Sequence, residues 1–170
     1  SFAVSFPPAG LAQRTHQAGA HIIPESGEDG GADIETVKAQ ERHCRCLAIT
    51  PKVRVPVGEY HFIARVLDAG ANGIMVPMVE SVEQARHIVT CSQYPPVGRR
   101  GAAFGMAHDD YRAGTPDEKI AAARARTVMI ALIETPAGVA NAEALAAVPG
   151  SQMLWLGHFD LTNFMGIPGQ

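Results

Sequence analysis

An α/β fold of about six β/α units around a parallel sheet is what this sequence predicts, and three observations predict it. Short runs of branched and large apolar residues alternate along the chain with helix-sized segments. The runs lack polar alternation, which suits strands covered on both faces. The polar residues best suited to chemistry, Glu28, Asp29, Arg54, Glu134 and Asp160, fall after the second, third, fifth and sixth runs. Six such units fit either an open doubly wound sheet or an incomplete barrel. Neither GxGxxG nor GxxxxGK[ST] follows the first run, which disfavours a nucleotide-binding open sheet. Reactive residues scattered over several strand ends are the habit of the TIM (β/α)8-type barrel. We therefore read residues 1–170 as one barrel domain holding about six of its units.

The first run is 2–6, and the helical spacing of 9–19 ends in Gly19. A weaker strand at 21–25 contains Pro24, which removes a ladder donor and predicts a local disturbance. After the Gly-rich, acidic segment SGEDGGAD, Asp33 is a candidate N-cap for a helix over 34–47. A third strand at 52–55 leads into a helix over 60–69, stopped by Gly70. The fourth strand is 73–77, and the helix over 82–91 places Val82, Ala85, Ile88 and Val89 on one face. An irregular stretch, 92–116, precedes a helix over 117–126.

The chain is organised around its last βαβ unit. Strands at 128–133 and 153–156 are joined by an Ala-rich crossover helix over 137–147, and a carboxylate follows each strand, Glu134 and Asp160. Neighbouring parallel strands lie roughly 4.8 Å apart, so two carboxylates leaving the same end can converge on one hard divalent cation. On spacing alone a second reading stays open, in which Glu134 caps the following helix and Asp160 starts a turn.

Composition excludes several classes. With 46% hydrophobic and 18% charged residues and a net charge of −3, the chain suits a soluble globular protein with a sizeable core. No basic run points to nucleic acid, and no apolar stretch approaches the roughly 20 residues of a membrane span. The chain opens at Ser1 and enters the strand-like SFAVSF at once, which reads as trimmed rather than as a signal peptide and suggests a cytoplasmic protein. Cys44, Cys46 and Cys91 lack a second close pair to complete a zinc site, so packing is their expected role.

Five separated motifs carry a family resemblance: VRVP at 53–56, LDAGANGIMVPMVES at 67–81, YPPVGRRG at 94–101, IET at 133–135 and LGHFDLTNFMGIPGQ at 156–170. Together, in order and with matching spacing, they resemble the HpcH/HpaI superfamily of metal-dependent 2-keto-acid aldolases, which are pyruvate TIM barrels. The resemblance implies that Glu134 and Asp160 hold Mg²⁺ or Mn²⁺, with Co²⁺ a further candidate. That ion would chelate pyruvate and stabilise its enolate as a 4-hydroxy-2-oxo acid splits into pyruvate and an aldehyde. 2,4-Dihydroxyhept-2-ene-1,7-dioate typifies the substrate class. Arg54 matches the family arginine facing the keto oxygen, where a permanent charge suits an oxygen gaining negative charge. Gly157, His158 and Phe159 match the loop whose backbone N–H groups hold the pyruvate carboxylate, His158 standing where many relatives have Pro. Arg99, Arg100 and the AHDDY segment at 107–111 resemble a loop that shapes the substrate pocket in one subgroup. A small-molecule keto acid and a homo-oligomer are the implied partners.

Three departures qualify this. The family pattern Asp-x-Glu-His after the second strand reads Ser26, Gly27, Glu28 and Asp29 here. Asp29 is then the candidate base, and a carboxyl near its ordinary pKa of about 3.9 is a weak base at neutral pH. Leu132 stands where some aldolases place Gln. A complete barrel takes about 250 residues, so a 170-residue chain reads as a fragment, an incomplete record or a chain completed by a partner. The alternatives are a catalytically impaired or non-catalytic relative that binds metal and keto acid, a macrophomate-synthase-like enzyme, or a CoA-ester lyase.

Overall fold

The structure, a computed structural model, describes residues 22–26, 34–46 and 50–170. Five strands form one parallel sheet: β1 (Ile22–Ser26), β2 (Thr50–Arg54), β3 (Gly73–Val76), β4 (Val128–Ile133) and β5 (Met153–Leu156). Each strand lies beside its predecessor in sequence, in the order β1-β2-β3-β4-β5. A doubly wound sheet reverses its order at a switch point. This one never does among the described strands, so right-handed crossovers put the connecting helices on the same side, as in a barrel wall. The predicted strand at 2–6, the helix at 9–19 and the cap Asp33 lie outside the described residues.

Helices α1 (Ile34–Cys46), α2 (Tyr60–Ala69), α3 (Val82–Ser92) and α4 (Pro116–Arg126) start and stop close to the expected positions. Their boundaries have local causes. Gly70, at φ 122°, ends α2 in a conformation that side chains resist. A capping box between Ser81 and Gln84 starts α3, and a second, between Thr115 and Glu118, starts α4 with Pro116 in its first turn. β1 runs through Pro24, paired at that position with Lys52, so the expected disturbance does not interrupt the ladder.

Between sheet and helices lies the main core, in which Val53, Ile74, Val76, Met129, Ala131 and Ile133 meet Ile63, Leu67, Ile88 and Leu145. The opposite face carries a second apolar group, Met75, Ile130 and Leu132, with Val128 and Trp155 against it. Alternate residues of β3 and β4 thus serve two cores, which is why those strands read as unbroken apolar runs.

Several expectations need correction. The crossover after β4 is two short helices, α5 (Pro136–Ala140) and α6 (Ala142–Ala146). It breaks at Asn141, whose Nδ2 donates to the Glu80 carbonyl at 2.7 Å. A side chain held by a neighbouring loop competes with the continuous helix that alanines favour. Cys44 and Cys91 are buried as expected of packing residues, whereas Cys46 is exposed.

The segment between α3 and α4, including a 3₁₀ turn at Ala107–Asp109, is held by buried polar contacts. Arg100 is buried, paired with Asp68 at 2.7 Å and stacked over Tyr94. Arg99 lies over the Tyr60 ring. His108 is buried, its Nε2–H donating to the Ala103 carbonyl at 2.7 Å while its own carbonyl accepts from Arg126. Burial holds its pKa below the ordinary histidine value.

Asp109 anchors the turn. It accepts N–H groups of Gly105, Met106 and Tyr111 at 2.7, 3.0 and 3.1 Å, and pairs with Lys119 at 2.8 Å. Burial alone would raise its pKa, but Lys119 and the backbone donors outweigh that and hold it well below the carboxylate range. Such a group stabilises the fold above the unfolded aspartate pKa, and its contribution is lost as pH falls through the folded one. Asp109→Ala is expected to cost about 3 kcal/mol at pH 7 in urea unfolding. The gap to the parent should close progressively below about pH 3.9. A gap that does not vary with pH would assign the loss to packing instead.

Among the described residues, no helix is long and apolar enough to cross a membrane.

Candidate functional site

The candidate residues gather at the carboxyl ends of β2, β4 and β5. Register places Arg54 opposite Met75, Met75 opposite Ile130, and Leu132 opposite Trp155, so these residues share the inner face. Glu134 is two residues beyond Leu132 and continues that alternation past the end of β4.

Glu134 is 2% exposed. Its Oε2 accepts the Met78 N–H at 3.1 Å, and its Oε1 faces Arg54 Nη2 at 3.5 Å, a separation at which charge attraction counts for more than hydrogen bonding. Asp160, in the first turn of α7 (His158–Phe164), comes near enough to act on the Glu134 carboxyl. Burial pushes the Glu134 pKa up. The Met78 N–H and the Arg54 guanidinium pull it back, and the neighbouring Asp160 pushes it up again.

Local geometry decides between the two readings of Glu134. The cap of α5 is Thr135, whose Oγ1 accepts the Gly138 N–H at 3.1 Å, so Glu134 is not spent as a cap. No side chain caps α7, and Asp160 turns to Glu134 instead. Gly157 makes the approach possible. A Cβ there would stand 2.6 Å from Glu134 Cγ and 2.9 Å from Oε1.

Two carboxylates this close repel one another, and a divalent ion held between them would relieve that repulsion. Among the described residues no group of three His, Cys, Asp or Glu converges. Mg²⁺ is commonly bound through one or two carboxylates, its other positions filled by water and substrate oxygens. Glu134 and Asp160 therefore fit such an ion.

The other expected residues divide. The Gly157 N–H donates to the Ile133 carbonyl at 2.9 Å, extending the sheet ladder, and is not available to a substrate carboxylate. His158 and Phe159 are exposed, with their rings 4.0 Å apart. Leu132 is buried on the inner face, beneath the carboxylates. Glu28 and Asp29 lie outside the described residues.

Sequence reasoning missed Met78. It adopts φ 54°, in the left-handed region that side chains resist, and in that conformation its N–H meets Glu134. Strain of this kind gathers at functional sites, but a backbone donor leaves no side-chain signature. Beside it, Val57, Gly58, Glu59, Met78, Glu83 and His87 help line a cleft of about 520 Å³ between the loops that follow β2 and β3.

Comparison with known proteins places this geometry. The family model for "HpcH/HpaI aldolase/citrate lyase" matches residues 17–170. A hydroxypyruvate/pyruvate aldolase from Roseovarius nubinhibens is 37% identical over 89% of this chain and 59% of its own length. A 4-hydroxy-2-oxovalerate aldolase from Novosphingobium aromaticivorans is 44% identical over 84% of this chain and 54% of its own length. The crystal structure of an HpcH/HpaI aldolase from Desulfitobacterium hafniense superposes with a TM-score of 0.90 at 26% identity, covering 98% of this chain and 63% of that one. The sheet is thus part of a TIM-type barrel, and the chain spans between half and three fifths of the curated relatives it matches. Strand order, the strand-end carboxylates and these matches agree: the chain belongs to the HpcH/HpaI aldolase/citrate lyase family.

Proposed function

We propose that this chain carries the metal and pyruvate half of a divalent-metal-dependent aldolase site, which splits 4-hydroxy-2-oxo acids into pyruvate and an aldehyde. The observation that carries the reading is the convergence of Glu134 and Asp160 with Arg54 beside them. Relatives named as pyruvate and 4-hydroxy-2-oxovalerate aldolases support it.

Glu134 and Asp160 would hold Mg²⁺ or Mn²⁺, which when bound supplies Lewis-acid polarisation of the keto acid. As the bond between C3 and C4 breaks, its electron pair passes toward the keto oxygen, and the proton of the 4-hydroxyl leaves to a base. Arg54 is placed to meet the growing negative charge without titrating. Its 3.5 Å pairing with Glu134 keeps the guanidinium beside the carboxylates. The first turn of α7, at His158 and Phe159, is the proposed seat of the substrate carboxylate. Asp29 is the proposed base, from its place in the sequence.

The test is pyruvate formation from a panel of 4-hydroxy-2-oxo acids with Mn²⁺, against an EDTA control. Metal-dependent release is expected, and Arg54→Ala is expected to lower kcat about 10²- to 10³-fold while Mn²⁺ affinity changes little. Release that ignores EDTA would remove the metal from the reaction. No release from a folded, Mn²⁺-binding chain would favour the non-catalytic alternative.

A further inference from the structure

We infer that Glu80 is a positioning residue for Glu134, holding the Met78 N–H against the carboxylate by tying the loop after β3 to the loop after β4. The inference deepens the proposed metal-binding site and rests on that reading for its functional meaning.

Glu80 is pinned at three points. Its Oε1 accepts the Thr135 hydroxyl at 2.6 Å, its carbonyl accepts Asn141 Nδ2 at 2.7 Å, and its N–H donates to Gln84 Oε1 at 2.8 Å. Thr135 directly follows Glu134, and Met78 lies two residues before Glu80. The same side chain therefore reaches the residue next to the carboxylate while its backbone continues into the amide that the carboxylate accepts. A further bond, from the Val79 N–H to the Leu132 carbonyl at 3.2 Å, ties the loop to the end of β4. Met78 sits in the left-handed region and is 40% exposed, so burial does not hold it there. The neighbouring tethers do, and Glu80 supplies those on the side of α5 and α6. Partners that orient a ligating carboxylate commonly change metal affinity by 10- to 100-fold when removed.

Two readouts test this, and the first needs no metal. Amide hydrogen exchange at Met78, followed by NMR in the parent, Glu80→Ala, Glu80→Asp and Glu80→Gln, reports the Met78–Glu134 hydrogen bond directly. Protection is expected to fall about tenfold in Glu80→Ala and in the too-short Glu80→Asp, and to be retained in Glu80→Gln, whose amide oxygen still accepts from Thr135. Mn²⁺ titration of the same variants should show about a tenfold weaker Kd for Ala and Asp, with Gln close to the parent. Glu80→Asp decides the matter should Glu80→Ala not fold. Unchanged Met78 exchange in the Ala and Asp variants would overturn the inference. So would an equal loss in the Gln variant, which would assign the effect to charge. A parent chain that binds no Mn²⁺ would overturn the proposed function, while the exchange data would still decide the role of Glu80.

Discussion

Asp160→Asn is expected to lower metal-dependent pyruvate release by about 10³-fold, the equivalent of some 4 kcal/mol of lost charge stabilisation. The same change is expected to make the metal-free chain slightly more stable. Glu134 is buried, with a second carboxyl beside it, so its pKa in the folded chain lies above the ordinary value of 4.5. A raised carboxylate contributes stability that is fully present below the unfolded pKa and is lost as pH rises through the folded one. The metal-free parent should therefore weaken as pH climbs above about 4.5, and Asn at position 160 should flatten that slope. Because Asp160 is exposed and water screens the repulsion, the gain is no more than about 0.5 kcal/mol. Thermal melts against pH, with EDTA and with Mn²⁺, read both effects. Saturating Mn²⁺ should stabilise the parent by about 2.7 kcal/mol at a hundredfold excess over Kd and leave the variant almost unmoved. A variant that still releases pyruvate and still melts higher with Mn²⁺ would show that Asp160 is not a ligand.

The second large effect is expected from a single methyl group. Gly157 has φ −91°, which any residue adopts, so Gly157→Ala acts through space rather than through backbone strain. The new Cβ would meet Glu134 at 2.6 and 2.9 Å, and Glu134, packed and nearly inaccessible, has to swing away from Met78 and Arg54. A misplacement of about 1 Å costs on the order of 100-fold in rate, and overpacking a tight site costs about 1–3 kcal/mol in stability. Initial rates together with Mn²⁺ titration check this. Rates and affinity equal to the parent would mean that the carboxylate has room the structure does not show.

That Glu134, Asp160 and Arg54 would come together was legible in the sequence because each lies at or just past the carboxyl end of a strand-like run, the end at which this fold class gathers its reactive residues. The helix limits were legible too, since Gly70 and the Ser81 and Thr115 boxes are local chemistry. What escaped is set by tertiary contact. Met78 contributes an amide, which every residue but proline possesses, and its left-handed backbone is imposed by neighbours rather than preferred by methionine. Gly157 was expected to offer its N–H to substrate, because motif matching aligns residues without revealing which donors the sheet already uses. Arg100 and Asp109, charged residues in an irregular stretch, look solvated until the fold shows them buried and paired. The split at Asn141 depends on a carbonyl 61 positions away in sequence.

The hydrogen bond from Gly157 to Ile133 makes the ladder between β4 and β5 end one residue before Glu134. Glu134 directly follows that last bond and Asp160 stands three residues beyond Gly157, in the first turn of α7, so a short, fixed interval of backbone on either side of one anchor point brings the two acids together. Loops at this end of the sheet can lengthen, shorten or change charge without altering that interval. A lineage built on such a scaffold is free to diversify its aldehyde partners while the bite of its two carboxylates stays the same.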